Sequence, residues 1–389
     1  MLEEKQESRK EVLFMPVKRM LFFANRLSAL VCAFAVMLLG AAAESAARSP
    51  ALQKVIEGAN KEGNLLLEWS GPRMGGHAGL SAMVNAMNKR YGTNIRVSFT
   101  PGQPMPQMLH KQTQEWRAGQ PSSSDIYLGT ANHIATDLKT GMLRKLDWAA
   151  ILERPVPRGA DIDVIASEGV AVAMSSRVVG IPYNTNLVKG DDIPKSMEDV
   201  FKPKWKGRIA STPYATGLYQ FAAADILGYE HMKNYTQRLA KHIGGLLRCS
   251  DTDRIASGEF AMLIFDCGHD DILRIKRHGA PVDHVVIKEV ARINILYFGI
   301  PKHARHPNAG ILLTNFLHSE EAQKLQWEYT GSDLHIYPES RVSPMLRELR
   351  AARGKLYNET VERELKTGDT DEINRISDEF VKILQAGGR

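Results

Sequence analysis

"VVGIPYNTNLV", residues 178–188, is an extended run with Pro182 inside it. It stands between two sets of alternating short apolar runs and helical patterns. A second extended run, "ARINILYFGIPKHARHP" (291–307), follows more than a hundred residues later. Before and between them lie strand candidates at 64–70, 94–100, 124–130, 207–212, 244–249, 260–266 and 282–287. The stretch 79–91 is helical by period, with Leu80, Met83, Val84, Met87 and Tyr91 on one face. Such alternation predicts an α/β protein with mainly parallel sheets. Two extended crossings between two α/β sets predict two lobes joined by a two-strand hinge. The expected division is 1–43 as extension and leader, 50–180 as the first lobe, 181–294 as the second, and 295–389 as a return to the first with C-terminal helices.

The N-terminus speaks to compartment. From Met15 a basic head (Lys18, Arg19, Arg26) precedes an apolar core, Leu27 to Leu39, and the small run Ala41–Ala43. These are the three parts of a cleavable secretory signal peptide. The apolar core is shorter than the ~20 residues that a spanning helix needs. Residues 1–14 read as an upstream start or a tail. The remaining 44–389 is too long for one core and suits two domains. The net charge is +6, spread without any Lys/Arg run interleaved with aromatics, so no nucleic-acid partner is expected. Beyond the leader only Cys249 and Cys267 remain. They end two similar apolar runs, and in an oxidising compartment they are a disulfide candidate if those runs are neighbouring strands. Pro307 is expected to open a helix, Ser319 to cap the next, and Ile373, Ile376, Phe380 and Ile383 to form a final amphipathic helix.

Four segments share an order: "VVGIPYNTNLV", "MEDVFKPKWKGRIA" (197–210), "RIASGEFAMLIF" (254–265) and "GIPKHARHPNAGILLTNFLHSEEAQ" (299–323). In this the chain resembles the extracellular solute-binding proteins of ABC importers, in the group holding ferric-iron, thiamine, polyamine and phosphonate binders. The resemblance implies a type II periplasmic-binding-protein clamshell, monomeric and without a cofactor. It further implies a periplasmic protein that delivers a small solute to an inner-membrane permease with a cytoplasmic ATPase. His303 and His306 fall in a Pro-flanked turn that in the family merely precedes a structural helix.

The ligand is sought at strand ends, where loops lead to helix N-termini. "LLLEWSGPRMGGHAGLSAMV" (65–84) places Ser70, Arg73 and His77 among glycines, a loop suited to an anion, with Arg73 able to grip it bidentately. Thr130 ends another strand. "STPYATG" (211–217) offers Ser211, Thr212, Tyr214, Thr216 and Gly217 from the second half, with Arg254 and Asp266 beyond it. Trp69, Tyr183 and Tyr214 are candidates to stack on an organic body. This set favours an organic anion such as a carboxylate, phosphonate or sugar phosphate. Ferric binders of this family show two adjacent tyrosines, and the sequence has no such pair. Asp266, His269 and Asp270 in "DCGHDDILR" (266–274) leave an iron, iron-chelate, polyamine or thiamine cargo open. No G-x-S-x-G, H-E-x-x-H or P-loop pattern occurs, which speaks against an exported hydrolase; a ligand sensor would use the same fold.

Overall fold

The computed structural model describes residues 48–71, 73–287, 290–351, 355–367 and 370–387. The signal-peptide region lies outside them, and among the described residues no helix is long and apolar enough to cross a membrane.

The described residues begin with α1 (Pro50–Glu62), β1 (Asn64–Ser70), α2 (Gly76–Tyr91), β2 (Arg96–Gly102) and α3 (Met105–Arg117). Next come β3 (Tyr127–Thr130), α4 (Ala131–Leu138), α5 (Trp148–Ile151), β4 (Ile165–Ala166) and β5 (Ala171–Val179). Then β6 (Ile181–Asn184), β7 (Ile209–Ser211), α6 (Leu218–Phe221), α7 (Tyr229–Ala240), β8 (Gly245–Leu246), α8 (Asp253–Ala256), β9 (Met262–Ile264), α9 (Asp270–Arg277) and β10 (Val282–Val285) follow. The last are β11 (Val290–Gly299), α10 (Pro307–Leu317), α11 (Glu320–Thr330), α12 (Ser343–Ala351), β12 (Lys355–Glu359), α13 (Val361–Thr367) and α14 (Thr370–Gly387).

The strands form a parallel β1–β2 pair, a sheet ordered β12–β11–β5–β4 with β3 also on β11, and a sheet ordered β10–β6–β9–β7–β8. The sheets are mixed, which corrects the expectation of mainly parallel ones. β7 pairs in parallel with β8 and β9, but β11 runs antiparallel to both β5 and β3. The reason lies in the long extended runs: β5 and β11 are each buried along their whole length and pair antiparallel, so the elements of the second sheet lie between them in sequence without forming a parallel β-α-β unit.

The quoted stretch is where the chain changes sheet. β5 belongs to the β11 sheet and β6 to the β9 sheet, with Gly180 between them. A Cβ at Gly180 would sit 2.4 Å from the Val285 carbonyl oxygen, so only glycine lets the crossing strand approach β10. One core gathers Leu65, Leu67, Trp69, Leu80, Phe298, Leu312 and Phe316 around β1 and α10. Another gathers Ile181, Tyr183, Ile209, Phe221, Phe265 and Leu239 under the second sheet. The final helix joins this second core through Phe380 and Leu384. Capping follows the sequence: Pro307 is the first residue of α10, and the Ser319 side chain accepts from Ala322 N–H at 3.2 Å.

Candidate functional site

Cys249 and Cys267 are disulfide-bonded, with Cα atoms 5.8 Å apart. Their strands are not neighbours, as the sequence reading supposed; β8 and β9 flank β7 on either side. The bond therefore spans the end of β7 and lies beside the loop that follows it. Tyr214 of that loop accepts from Cys249 N–H at 3.0 Å, and the Thr216 hydroxyl lies 3.9 Å from Cys267 Sγ.

The loop from Asp266 to α9 is fastened to the crossing strand. Asp266 N–H donates to the Gly180 carbonyl at 3.0 Å, and Asp266 Oδ1 accepts from Gly180 N–H at 2.9 Å. His269 N–H donates to Val178 O at 2.9 Å while its Nδ1 accepts from Val178 N–H at 3.0 Å. The remaining ring proton on Nε2 then donates to Gly331 O, 3.0 Å away. Burial lowers the His269 pKa to about 4, so the ring is neutral. These bonds set Asp270 and Asp271 against Arg177, the residue next to Val178. Gly268 makes the approach feasible: its φ is 148°, and a Cβ there would lie 2.5 Å from Arg177 Cβ.

Arg177 is only 2% exposed and binds Asp270 with Nε at 2.7 Å and Nη2 at 2.6 Å. Its Nη2 is also 3.5 Å from Asp271. Arg73 faces the same carboxylates from the loop after β1, with Nη1 3.7 Å from Asp270 and Nη2 3.9 Å from Asp271. Neither distance is a hydrogen bond. Arg73 Nε and Asp271 Oδ2 are both buried without a hydrogen-bond partner. Burial, then the Arg177 charge, lowers the Arg73 pKa. Burial opposes ionisation of Asp270, but Arg177 and then Arg73 hold its carboxyl below the ordinary value. Burial and the adjacent Asp270 charge push Asp271 upward. Tyr214 is near enough to Arg73 for each to perturb the other's ionisation. Asn294 lies opposite Arg177 on β11, donates to Cys267 O at 3.1 Å and leaves its own buried Oδ1 unpartnered.

Of the residues singled out in the sequence, Arg73, Tyr214, Thr216, Asp270 and both cysteines belong to this region. The others are placed differently. Ser70 ends β1 against Gly102. His77 packs edge-on against Phe99, with ring centroids 5.0 Å apart. The Thr130 hydroxyl bonds His133 Nδ1 at 2.8 Å. Trp69 and Tyr183 are core residues. Ser211 donates to the Ile264 carbonyl, Thr212 Oγ1 accepts from Thr216 N–H, and Gly217 N–H donates to Gln220 Oε1. Arg254 pairs with Glu259 on the surface and lies over Phe260.

The three residues considered for a metal do not converge. Asp266 is held by Gly180 and His284, His269 by backbone on both nitrogens, and Asp270 by Arg177. Among the described residues no group of three His, Cys, Asp or Glu is arranged to hold a metal ion. His306 Nδ1 lies 2.9 Å from Asp125, and His303 contacts the Gln120 carbonyl.

Arg177 and Asn294 escaped the sequence reading. The available signal was a charged or amide side chain inside a largely apolar strand, Arg177 in β5 and Asn294 beside Arg292 in β11, because burying such groups is costly without a compensating contact.

Residues 82–334 match the sequence profile of bacterial extracellular solute-binding proteins, and the chain belongs to that family. No curated protein sequence matches it. Its fold is similar to the substrate-binding protein of an ABC transporter from Agrobacterium tumefaciens, with a TM-score of 0.67, 16% identity, and coverage of 84% of this chain and 97% of that one. It is also similar to AfuA from Actinobacillus pleuropneumoniae, solved with fructose-6-phosphate, with a TM-score of 0.61, 21% identity and 83% and 98% of the two chains covered. Iron-bound HitA from Pseudomonas aeruginosa has a TM-score of 0.59, 17% identity, and coverage of 81% of this chain and 98% of its own. These likenesses establish a periplasmic-binding-protein fold of mixed α/β type.

Proposed function

We propose that this chain is the substrate-binding component of an ABC importer, exported to the periplasm by its cleavable signal peptide, and that it captures a small organic solute through an anionic group held by Arg73. One observation carries the anion: a mostly buried guanidinium, 14% exposed, meets carboxylates only at 3.7 Å or more. Five donors in a fixed fork match carboxylate and phosphate oxygens. Tyr214 supplies an aromatic body beside it.

Capture works by closure. Arg73 belongs to the segment after β1, whereas Tyr214 belongs to the loop after β7 and Asp270 and Asp271 open α9. A solute that touches both sides only when they come together shifts the open–closed equilibrium toward the closed form. The permease and its ATPase then read the closed surface. No covalent step is required of any residue in the region. The similar structures carry iron and a sugar phosphate in their own sites. The commitments of Asp266, His269 and Asp270 favour an organic anion over direct iron coordination here.

The test is a thermal-shift plate of carboxylates, phosphonates, sugar phosphates, polyamines, thiamine and ferric citrate. Ligand at 100 times its dissociation constant adds about 2.7 kcal/mol of stability. An anion is expected to raise the midpoint in the wild type and not in Arg73→Ala. A rise with polyamine or iron alone, unchanged in Arg73→Ala, overturns the reading.

A further inference from the structure

We infer that the cargo is dipolar, carrying a cationic group for Asp271 as well as an anionic group for Arg73; this rests on the reading of Arg73 above. The four charges at the site do not form two equivalent pairs. Arg177 donates to Asp270 through Nε at 2.7 Å, and its Nη2 lies 2.6 Å from the same oxygen as an ion pair, with no hydrogen bond of its own. Arg73 makes no hydrogen bond to either carboxylate, standing 3.7 Å from Asp270 and 3.9 Å from Asp271, and Asp271, unlike Asp270, accepts no hydrogen bond from either arginine; Arg73 Nε and Asp271 Oδ2 are both buried without a hydrogen-bond partner. Asp271 is 9% exposed, and among the described residues its only other cation within ion-pair distance is Arg177 at 3.5 Å.

A solute that enters here must separate these two side chains. A simple anion replaces Asp271 at Arg73 but leaves Asp271 buried beside Asp270 and a new negative charge. An unpaired buried carboxylate is strongly unfavourable. A simple cation creates the mirror problem at Arg73, with Arg177 nearby. A solute bearing both groups replaces each partner with its own opposite charge and keeps the cluster neutral. The two side chains now in contact thus stand in for the two ends of the cargo. The chemical class is an amino acid or guanidino acid, or a larger solute that presents such a dipolar head.

The experiment compares matched compounds on the intact protein. α-Amino acids and longer amino and guanidino acids are screened by thermal shift beside their deaminated carboxylates and decarboxylated amines. Titration calorimetry then follows the strongest dipolar compound and its carboxylate analogue on wild type, Arg73→Ala and Asp271→Asn. The expected result is at least tenfold tighter binding of the dipolar compound than of either analogue. Asp271→Asn is expected to remove most of that margin while preserving the carboxylate's own affinity, and Arg73→Ala to abolish both. A carboxylate that binds as tightly as its amino acid, still dependent on Arg73, overturns the dipolar inference and leaves the anion site standing. Binding indifferent to Arg73 overturns both. A panel in which no dipolar compound stabilises the wild type also overturns the inference, without recourse to any variant.

Discussion

At the scale of single residues, the buried charges divide into those that hold the site and those that offer it. Arg177 belongs to the first kind. Removing it leaves Asp270 and Asp271 buried without their nearest cation. Arg177→Met is expected to cost about 3–5 kcal/mol. The double variant Arg177→Met/Asp270→Asn is expected to recover part of that loss. Urea unfolding of the two variants checks this, and equal stabilities would show that Asp270 is not the partner that matters. As a candidate, Arg73 was legible in the sequence because glycines surround it at a strand end. Arg177 was not, because its partners lie about ninety residues away and only the fold brings them together. Trp69 and Tyr183, candidates to stack on a ligand, are core residues instead. For Trp69 the corrective signal was present: it shares the alternate face of β1 with Leu65 and Leu67, and all three are buried.

At the scale of elements, the sequence carried most strands and helices, with Pro307 and Ser319 marking helix starts in the expected places. β4, two residues long, gives no period to read, and β12 is a short run with Lys355, Asn358 and Glu359 in it. Pairing direction was also out of reach, because alternation suggests parallel strands whereas β5 and β11 zip together antiparallel over long range. The disulfide was legible, though its geometry runs across β7 and not between neighbours. It closes a loop of 18 residues, for which the loss of chain entropy in the unfolded state is worth about 3 kcal/mol. Cys249→Ala/Cys267→Ala is expected to lower unfolding stability by that amount, and to loosen Tyr214 through its bond to Cys249 N–H. An unchanged unfolding midpoint in the double variant would show that the bond adds nothing to the β7 end.

At the scale of the whole molecule, buried titratable groups set a response to pH. Burial holds His133 and His269 at about 4 and His318 at about 3. Each stays neutral in the fold while the unfolded chain takes up a proton below pH 6.5, so stability is lost as pH falls from there toward the folded values. Glu364 acts in the opposite sense. Burial, then the Glu359 charge, raises it to about 7, so the folded state keeps a proton that the unfolded state releases above about pH 4.5. Its contribution grows as pH falls from 7 to 4.5 and offsets part of the histidine loss. The melting temperature is therefore expected to drop between pH 7 and pH 5, and to drop more steeply in Glu364→Gln. Identical slopes in the two proteins would show that Glu364 is ionised in the fold throughout.

In the proposed mode of capture, cargo is held between the loop carrying Arg73 and the segment leading into α9. Hydrogen–deuterium exchange with the compound that stabilises the protein most tests this directly, without altering any residue. Slowed exchange is expected in peptides covering 65–80 and 262–277 together. Protection confined elsewhere, for example to α7 around the shallow hollow lined by Glu230, His231, Asn234, Tyr235 and Arg238, would contradict it.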